Sequence, residues 1–452
     1  MKIVFIFLAI LLTASCSFDN KTGIWNDATK ISIGNKEVKS IESSTSNKRY
    51  EDIFTKDKLF NEEISLSRNI NINIDAPIKI NIWHEQYGNK TNNISNALYS
   101  GNKILLSKSP RLSKIFFNKS IVFYKDNLIT ADHNGKIFIY SLSLKKKIFE
   151  YNFYKKKLKN FSKQIYLTVS KDALYIADNI GYLYSINLNS ETLVWAKNFG
   201  IPFRSNLKIA GDQIFLASQD NVIYSVDTKT GNNIWQFATS LTFLKSDFVN
   251  NFAIDEGGKN ILFLNTSGEF YSINYLTQKI NWVINFKNSS LAGDVDLFLS
   301  QPLVINKNSI IISTENSILS YDLQSGVRNW SFSSSSILKP VLTTNYTYIF
   351  TKNNLLICID NAVGEVVWSK NIYNNLNLKK MERKIKIFYD LKIANNEINI
   401  FSRNGYLLSF DYRDGALNYI KKISKNGIKS EIVFLKENMY LMNGRNKLLK
   451  FN

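Results

Sequence analysis

Apolar and polar positions recur along most of this chain in one pattern, clearest from Ala173 to Trp195, ALYIADNIGYLYSINLNSETLVW. An apolar run, Ala173 to Ile176, leads to a turn carrying Asp178 and Gly181. A second run alternates with period 2 at Tyr182, Tyr184, Ile186 and Leu188, as a strand does. A third short strand ends on Trp195. The pattern returns with terminal tryptophans at Trp235, Trp282, Trp330 and Trp368, and in weaker copies with Phe149 and Tyr419 in that slot. The spacing is mostly about 40 to 50 residues, the length of one four-stranded propeller blade. The eighth copy is divided. The last residues, MYLMNGRNKLLKFN, supply early strands without a closing one, and upstream APIKINIW ends on Trp83 with nothing before it. The pattern therefore predicts an all-β, eight-bladed β-propeller of four-stranded antiparallel blades, closed by pairing N-terminal with C-terminal strands. Ala76 to Trp83 is the expected closing strand, which removes an open sheet edge.

Turn chemistry accompanies the period. Asp227, Asp322, Asp360 and Asp411 stand at one fixed place, before the hairpin to the last strand, and Gly231 follows Asp227 where a tight turn needs positive φ. An acid repeated in blade after blade is scaffold, accepting backbone N–H groups. The tryptophans read likewise as core where neighbouring sheets pack.

Outside the repeats the character changes. MKIVFIFLAILLTASC has a charged start at Lys2, an apolar run from Ile3 to Leu12, and Ala14 and Ser15 before Cys16. This is a secretion signal, too short to span as a stable helix. Cysteine after small residues resembles the lipoprotein box, which implies removal of residues 1–15 and lipidation of Cys16. Thr13 departs from the aliphatic residue usual in that box. Ser17 in place of aspartate implies sorting to the outer membrane. Residues 16–75 are charged and poor in apolar side chains and read as a polar tether, with 76–452 as the propeller. HEQYGNKTNNISNALYS, after Trp83, is polar and turn-rich and is expected on one face.

The net charge of +20 is read mainly as lysines solvating loops, not as a nucleic-acid site. Basic insertions follow Phe149 and Trp368. Besides Cys16 the one cysteine is Cys358, in the apolar run LLICID, so the mature chain holds no disulfide and Cys358 reads as a small buried hydrophobe. No catalytic constellation and no metal-ligand spacing is visible; the histidines are His84 and His133 alone.

The repeat, with Ala177-Asp178, Gly181, Leu183-Tyr184-Ser185, Thr230-Gly231 and Trp235, resembles the PQQ-type propeller repeat. In the quinoprotein dehydrogenases of that type the resemblance implies a quinone in the axial channel beside a calcium ion, in many with a vicinal disulfide. This chain has no Cys-Cys pair, so no cofactor is expected. Lipoprotein signal, tether and eight degenerate repeats together resemble the BamB family of the outer-membrane barrel-assembly machinery. Trp83, Gly88 and Asn89 match the W-x-x-x-G-G-N start of its alphaproteobacterial members, with Tyr87 replacing the first glycine.

That resemblance implies a non-enzymatic scaffold on the periplasmic side of the outer membrane, held to the inner leaflet by lipid. Its partners would be the periplasmic domains of the assembly subunit BamA and nascent outer-membrane proteins. The matching contact loop is Ile201-Pro202-Phe203-Arg204-Ser205, with Ile201, Phe203 and Arg204 as partner-binding residues and Phe203 read as exposed. Asp247 stands for the acids of the next blade, although Phe248 and Val249 follow it. The alternative is a periplasmic quinone-dependent dehydrogenase or carbohydrate-binding propeller.

Overall fold

The computed structural model describes residues 17–18, 25–26, 59–68, 70–154, 158, 161–241, 249–286 and 298–452. Two compact units divide at Lys56/Asp57. In the first, Ser17–Phe18 pairs antiparallel with Trp25–Asn26. Cys16 and the apolar start lie outside the described residues.

The second unit is the expected eight-bladed propeller, each blade a four-stranded antiparallel sheet. Blade 1 is built from Val122–Tyr124, Asn127–Ala131, Lys136–Ser141 and Lys146–Asn152. Blades 2 to 7 begin at Ile165, Lys208, Asn251, Val304, Val341 and Phe388 and repeat that order. Blade 8 takes Val433–Leu435, Asn438–Met442 and Leu448–Phe451 from the C-terminus. In each blade the first strand is buried, as Val122–Tyr124 is throughout, and the fourth is largely exposed, as in Lys146–Asn152, except in blade 6, where Val366–Asn371 is covered. The first strand therefore faces the axis and the fourth the rim.

Blade 8 is closed by a different strand from the one expected. Leu105–Lys108, not Ala76 to Trp83, pairs with Leu448–Phe451 as its outermost strand. The physical reason lies in burial. A fourth strand sits at the rim, where Leu105 and Leu106 are exposed, whereas Trp83 is 1% exposed and bridges Phe123 in the axial strand of blade 1. Residues 59–75, read from sequence as tether, are also seated on the propeller. Ile64 bridges Ser369 of blade 6, and Ile72 is buried in the core shared by blades 6 and 7. Leu66 and Ile74 pack against the same core, while Leu59 and Ile70 stay exposed.

Blade-to-blade packing follows from the turn chemistry. Asp227 accepts N–H bonds from Lys229 and Thr230, Asp322 from Gln324 and Ser325, Asp360 from Ala362 and Asp411 from Arg413. Each Asp holds a turn whose glycine has positive φ: Gly231, Gly326, Gly364 and Gly415. A Cβ on Gly364 would lie 2.5 Å from Trp330 of the preceding blade; at Gly231, Gly326 and Gly415 the same clash is with Trp195, Trp282 and Trp368. The indole lies flat on the next blade's turn, and Trp195, Trp282 and Trp330 donate Nε1–H to carbonyls of Thr228, Leu323 and Asn361 there. Only a residue without a side chain permits that approach.

The basic insertion after Trp368 forms a helix, Leu376–Ile385, capped by Asn375, whose side chain accepts from the N–H of Asn377 and Leu378. Leu378 and Ile385 bury its inner face.

Candidate functional site

The axis of the propeller is filled by the chain's own residues 83–100. Trp83 O accepts from Phe123 N of blade 1 at 2.7 Å, and His84 O from Val169 N of blade 2 at 2.8 Å. Lys208 of blade 3 reaches Glu85 at 2.6 Å and Asn89 O at 3.0 Å. Lys90 O accepts from Ile254 N of blade 4, and Thr91 O from Ile305 N of blade 5. Asn93 exchanges two side-chain bonds with Leu342 of blade 6, at 2.8 and 3.2 Å. Ala97 N donates to Ile393 O of blade 7, and Ser100 N to Glu437 O at the end of the inner strand of blade 8. The segment thus bonds to all eight blades, and these bonds follow the blades in chain order. Polarity is what suits it to this place: inner strands present unpaired backbone groups to the axis, and amides such as Asn92, donating to Phe252 O and Leu303 O, satisfy them. The expected one-face loop is therefore an axial plug.

Charges are buried around the plug. Lys208 is fully buried and Glu85 nearly so, and burial pulls the Lys208 ammonium down while Glu85 opposes it. Lys392 lies 3.7 Å from Asp390. Burial pushes the Glu431 carboxyl up to about 7 against the pull of Lys392, and the backbone N–H of Tyr87 donates to it at 3.1 Å. Burial also lowers Lys339 to about 7, with Lys392 adding repulsion. Beside the plug a cavity of about 800 Å3 opens at one mouth of the channel, lined by Tyr87, Asn118, Gln164, Tyr166, Asn206 and Asn251 among others.

Sequence-expected contact residues sit elsewhere. The loop Ile201 to Ser205 connects blades 2 and 3, as expected, but Phe203 is 0% exposed, not an exposed aromatic. Its ring packs edge-on to Phe199 and Tyr224, because the loop continues the interblade core. Arg204 is also mostly buried, its backbone N–H bonded to Ala217 O and its guanidinium 3.4 Å from Gln164. Ile201 and Pro202 are half-exposed. Asp247 lies outside the described residues. Cys358 is buried and unpaired, and burial raises its thiol pKa, so it is a packing residue as expected. The plug was missed. Its available signal was the run of asparagines Asn89, Asn92, Asn93 and Asn96 in a segment too long for a hairpin.

A quinone and its calcium do not fit this axis. Residues 83–100 take its space, and Glu85 and Asp390 already pair with lysines. No group of three or more His, Cys, Asp or Glu among the described residues is arranged to hold a metal.

The model of the family "Outer membrane protein assembly factor BamB" matches residues 145–370, half of the chain. This chain belongs to the BamB family. The family match covers blades 2 to 6 and the last strand of blade 1. Among its relatives, an uncharacterized protein of Rickettsia conorii is 18% identical over 320 residues, 67% of this chain and 75% of that one. BamB of Moranella endobia is 19% identical over 287 residues, 58% and 67% respectively. The Rickettsia match is consistent with the alphaproteobacterial type. The BamB crystal structure from Moraxella catarrhalis superposes with TM-score 0.61 at 12% identity, covering 77% of this chain and 99% of that one. A quinohemoprotein alcohol dehydrogenase of Pseudomonas putida HK5 superposes with TM-score 0.59 at 9% identity, covering 83% and 80%. At such identities these two structures share the fold and nothing finer, so the BamB-type role rests on the family match.

Proposed function

We propose that this chain is a non-enzymatic scaffold lipoprotein of the outer-membrane barrel-assembly machinery, acting on the periplasmic side of the outer membrane. In this reading residues 1–15 are removed and Cys16 carries the lipid. The polar segment that follows Cys16 is the tether, and the propeller binds the periplasmic domains of the assembly subunit BamA and assists insertion of outer-membrane proteins. The observation that carries it is the filled axis. A quinone-dependent dehydrogenase of this fold needs that space, and here its residues are spent on holding the plug and each other.

The reading places the partner contact on the loop between blades 2 and 3, where Ile201 and Pro202 reach solvent and Phe203 anchors the loop beneath them. Arg204 positions that loop through Gln164 instead of presenting itself. The test is capture of the subunit's periplasmic domains by wild type and by Ile201→Asp. A charge at an apolar contact typically costs on the order of 2 kcal/mol, a roughly 30-fold loss of affinity. Ile201 is not a core residue, so the melting temperature should hold. Equal capture by both proteins removes this loop from the interface. Binding of pyrroloquinoline quinone with calcium, seen as a retained chromophore, would overturn the non-enzymatic reading.

A further inference from the structure

The connections that lead into blades 7, 8 and 1 on the mouth side of the ring, with the hairpins beside them, carry a surface that the partner reading does not use. Phe116 and Ile387 are its most prominent features, 61% and 62% exposed at loop positions, with Ile115 beside Phe116. Arg403, Lys425, Lys429, Arg445, Arg111 and Lys114 on the same loops are all exposed. Of the acids on these segments, Asp132 and Glu431 are buried at 2% and 8% exposure, and Glu382, on the helix that leads into Ile387, is exposed. Basic groups and apolar tips therefore dominate the outward side, with Glu382 the one exposed acid among the described residues of these segments.

The patch is contiguous and held in shape. Lys429 Nζ stands 5.6 Å over the Phe116 ring, and the Arg403 guanidinium 5.5 Å over Tyr389. Tyr389 donates its hydroxyl to Lys429 O at 3.0 Å. Arg403 N donates to Ile387 O at 2.8 Å, and Ile428 N to Arg403 O at 2.9 Å. Asn446 Nδ2 donates to Ile115 O at 2.7 Å, tying blade 8 to the loop that carries Phe116. These bonds fix the loop backbones while leaving the side-chain tips in water. Two bulky apolar side chains left that way are an unfavourable arrangement unless something covers them.

We propose that this sector is a docking surface for an anionic phospholipid bilayer. The apolar tips would enter the headgroup boundary while the surrounding Lys and Arg meet lipid phosphates, a division of labour that long cationic side chains and exposed aromatics suit. Charge complementarity decides the occupant. A surface with basic groups spread over several loops and a single exposed acid, Glu382, among them has little to set the register of a particular protein partner. A bilayer, uniform and negative, requires no register. The inference is independent of the partner loop at Ile201, which belongs to blades 2 and 3.

The experiment is vesicle sedimentation of the chain from residue 17, which omits the apolar start and Cys16 that would bind lipid by themselves. Vesicles are phosphatidylcholine alone or with 30% phosphatidylglycerol. The protein should sediment with the anionic vesicles, weakly or not at all with the neutral ones, and less in 0.5 M salt. Arg403→Gln/Lys429→Gln should lower the apparent partition roughly 30-fold, about fivefold for each charge. Phe116→Ser should lower it about tenfold by removing buried apolar area. Phe116 is mostly exposed, so its variant keeps the test valid should the double variant fold poorly; melting curves check both. Equal sedimentation with neutral vesicles overturns the proposal, as does equal partition of wild type and Phe116→Ser. Binding of soluble poly-glutamate as tightly as anionic vesicles, unaffected by Phe116→Ser, would assign the surface to an acidic protein instead and overturn it too.

Discussion

Glu85→Ala tests whether the axial plug holds the ring together. The carboxylate lies 2.6 Å from Lys208 Nζ, whose side chain has 0% exposure, and the lysine's other partner is Asn89 O at 3.0 Å. Removing the acid leaves a buried ammonium with one carbonyl. Breaking such a pair typically costs about 3–5 kcal/mol, since the remaining charge has lost the group that offset its desolvation. Lys208 can escape part of that cost by releasing its proton, because burial already lowers its pKa. We therefore expect about 3 kcal/mol at pH 7, less at pH 9. With unfolding entropy of about 2.1 cal/mol/K per residue, the unit from Asp57 to Asn452 gives roughly 0.8 kcal/mol per degree, so the melting temperature should fall by about 4 °C. Glu85→Ala/Lys208→Met should recover much of the loss, because no buried charge is left unpaired. The assay is thermal and urea unfolding of the three proteins. A single variant within 1 °C of wild type, or a double variant no more stable than Glu85→Ala, would refute the role assigned to this pair.

Three further outcomes follow from the same geometry. Lys339 is buried and lowered to about 7, so it weakens the fold fully below pH 7, and stability recovers as pH rises from 7 towards its unfolded value near 10.5. Lys339→Met should accordingly stabilise by on the order of 2–4 kcal/mol at pH 6, with the gain shrinking steadily to pH 10 in urea titrations. Gly364→Ala should cost clearly more than Gly200→Ala in thermal unfolding. Both glycines have positive φ, worth about 1–2 kcal/mol to an alanine, but only Gly364 meets an indole at 2.5 Å, while Gly200 has nothing within 4 Å. A chain beginning at Asn102 keeps the closing strand Leu105–Lys108 and loses the plug. It should be markedly less stable and more prone to aggregate than one beginning at Asp57, by light scattering on heating.

Much of the architecture was legible because every blade carries period-2 apolar runs and four of them add an Asp-to-Gly turn beneath the preceding blade's tryptophan. Asp227 and Gly231 are local chemistry, and local chemistry survives in a single sequence. Trp83 misled for the same reason: it resembles a blade-ending tryptophan, yet its neighbours carry it to the axis. The plug was illegible to periodicity because its stability comes from hydrogen bonds to eight distant strands, not from an apolar face of its own. Phe203 was misjudged because a loop was taken to mean exposure. Its neighbours Phe199 and Tyr224 are far enough apart in sequence that the shared core between blades appears only in three dimensions. The basic surface around Phe116 was hidden likewise, since its residues come from three blades at opposite ends of the chain.

The role proposed for this BamB-family propeller is to hold other proteins of the barrel-assembly machinery. The most direct measurement is purification of the full-length tagged chain from detergent-solubilised outer membranes, with Cys16→Ser and Ile201→Asp chains alongside. Near-stoichiometric recovery of the assembly subunit is expected with wild type, a pronounced loss with Ile201→Asp, and loss of membrane retention with Cys16→Ser. Recovery of the wild-type chain from those membranes without the assembly subunit, under conditions that keep the subunit's other complexes intact, would contradict that role.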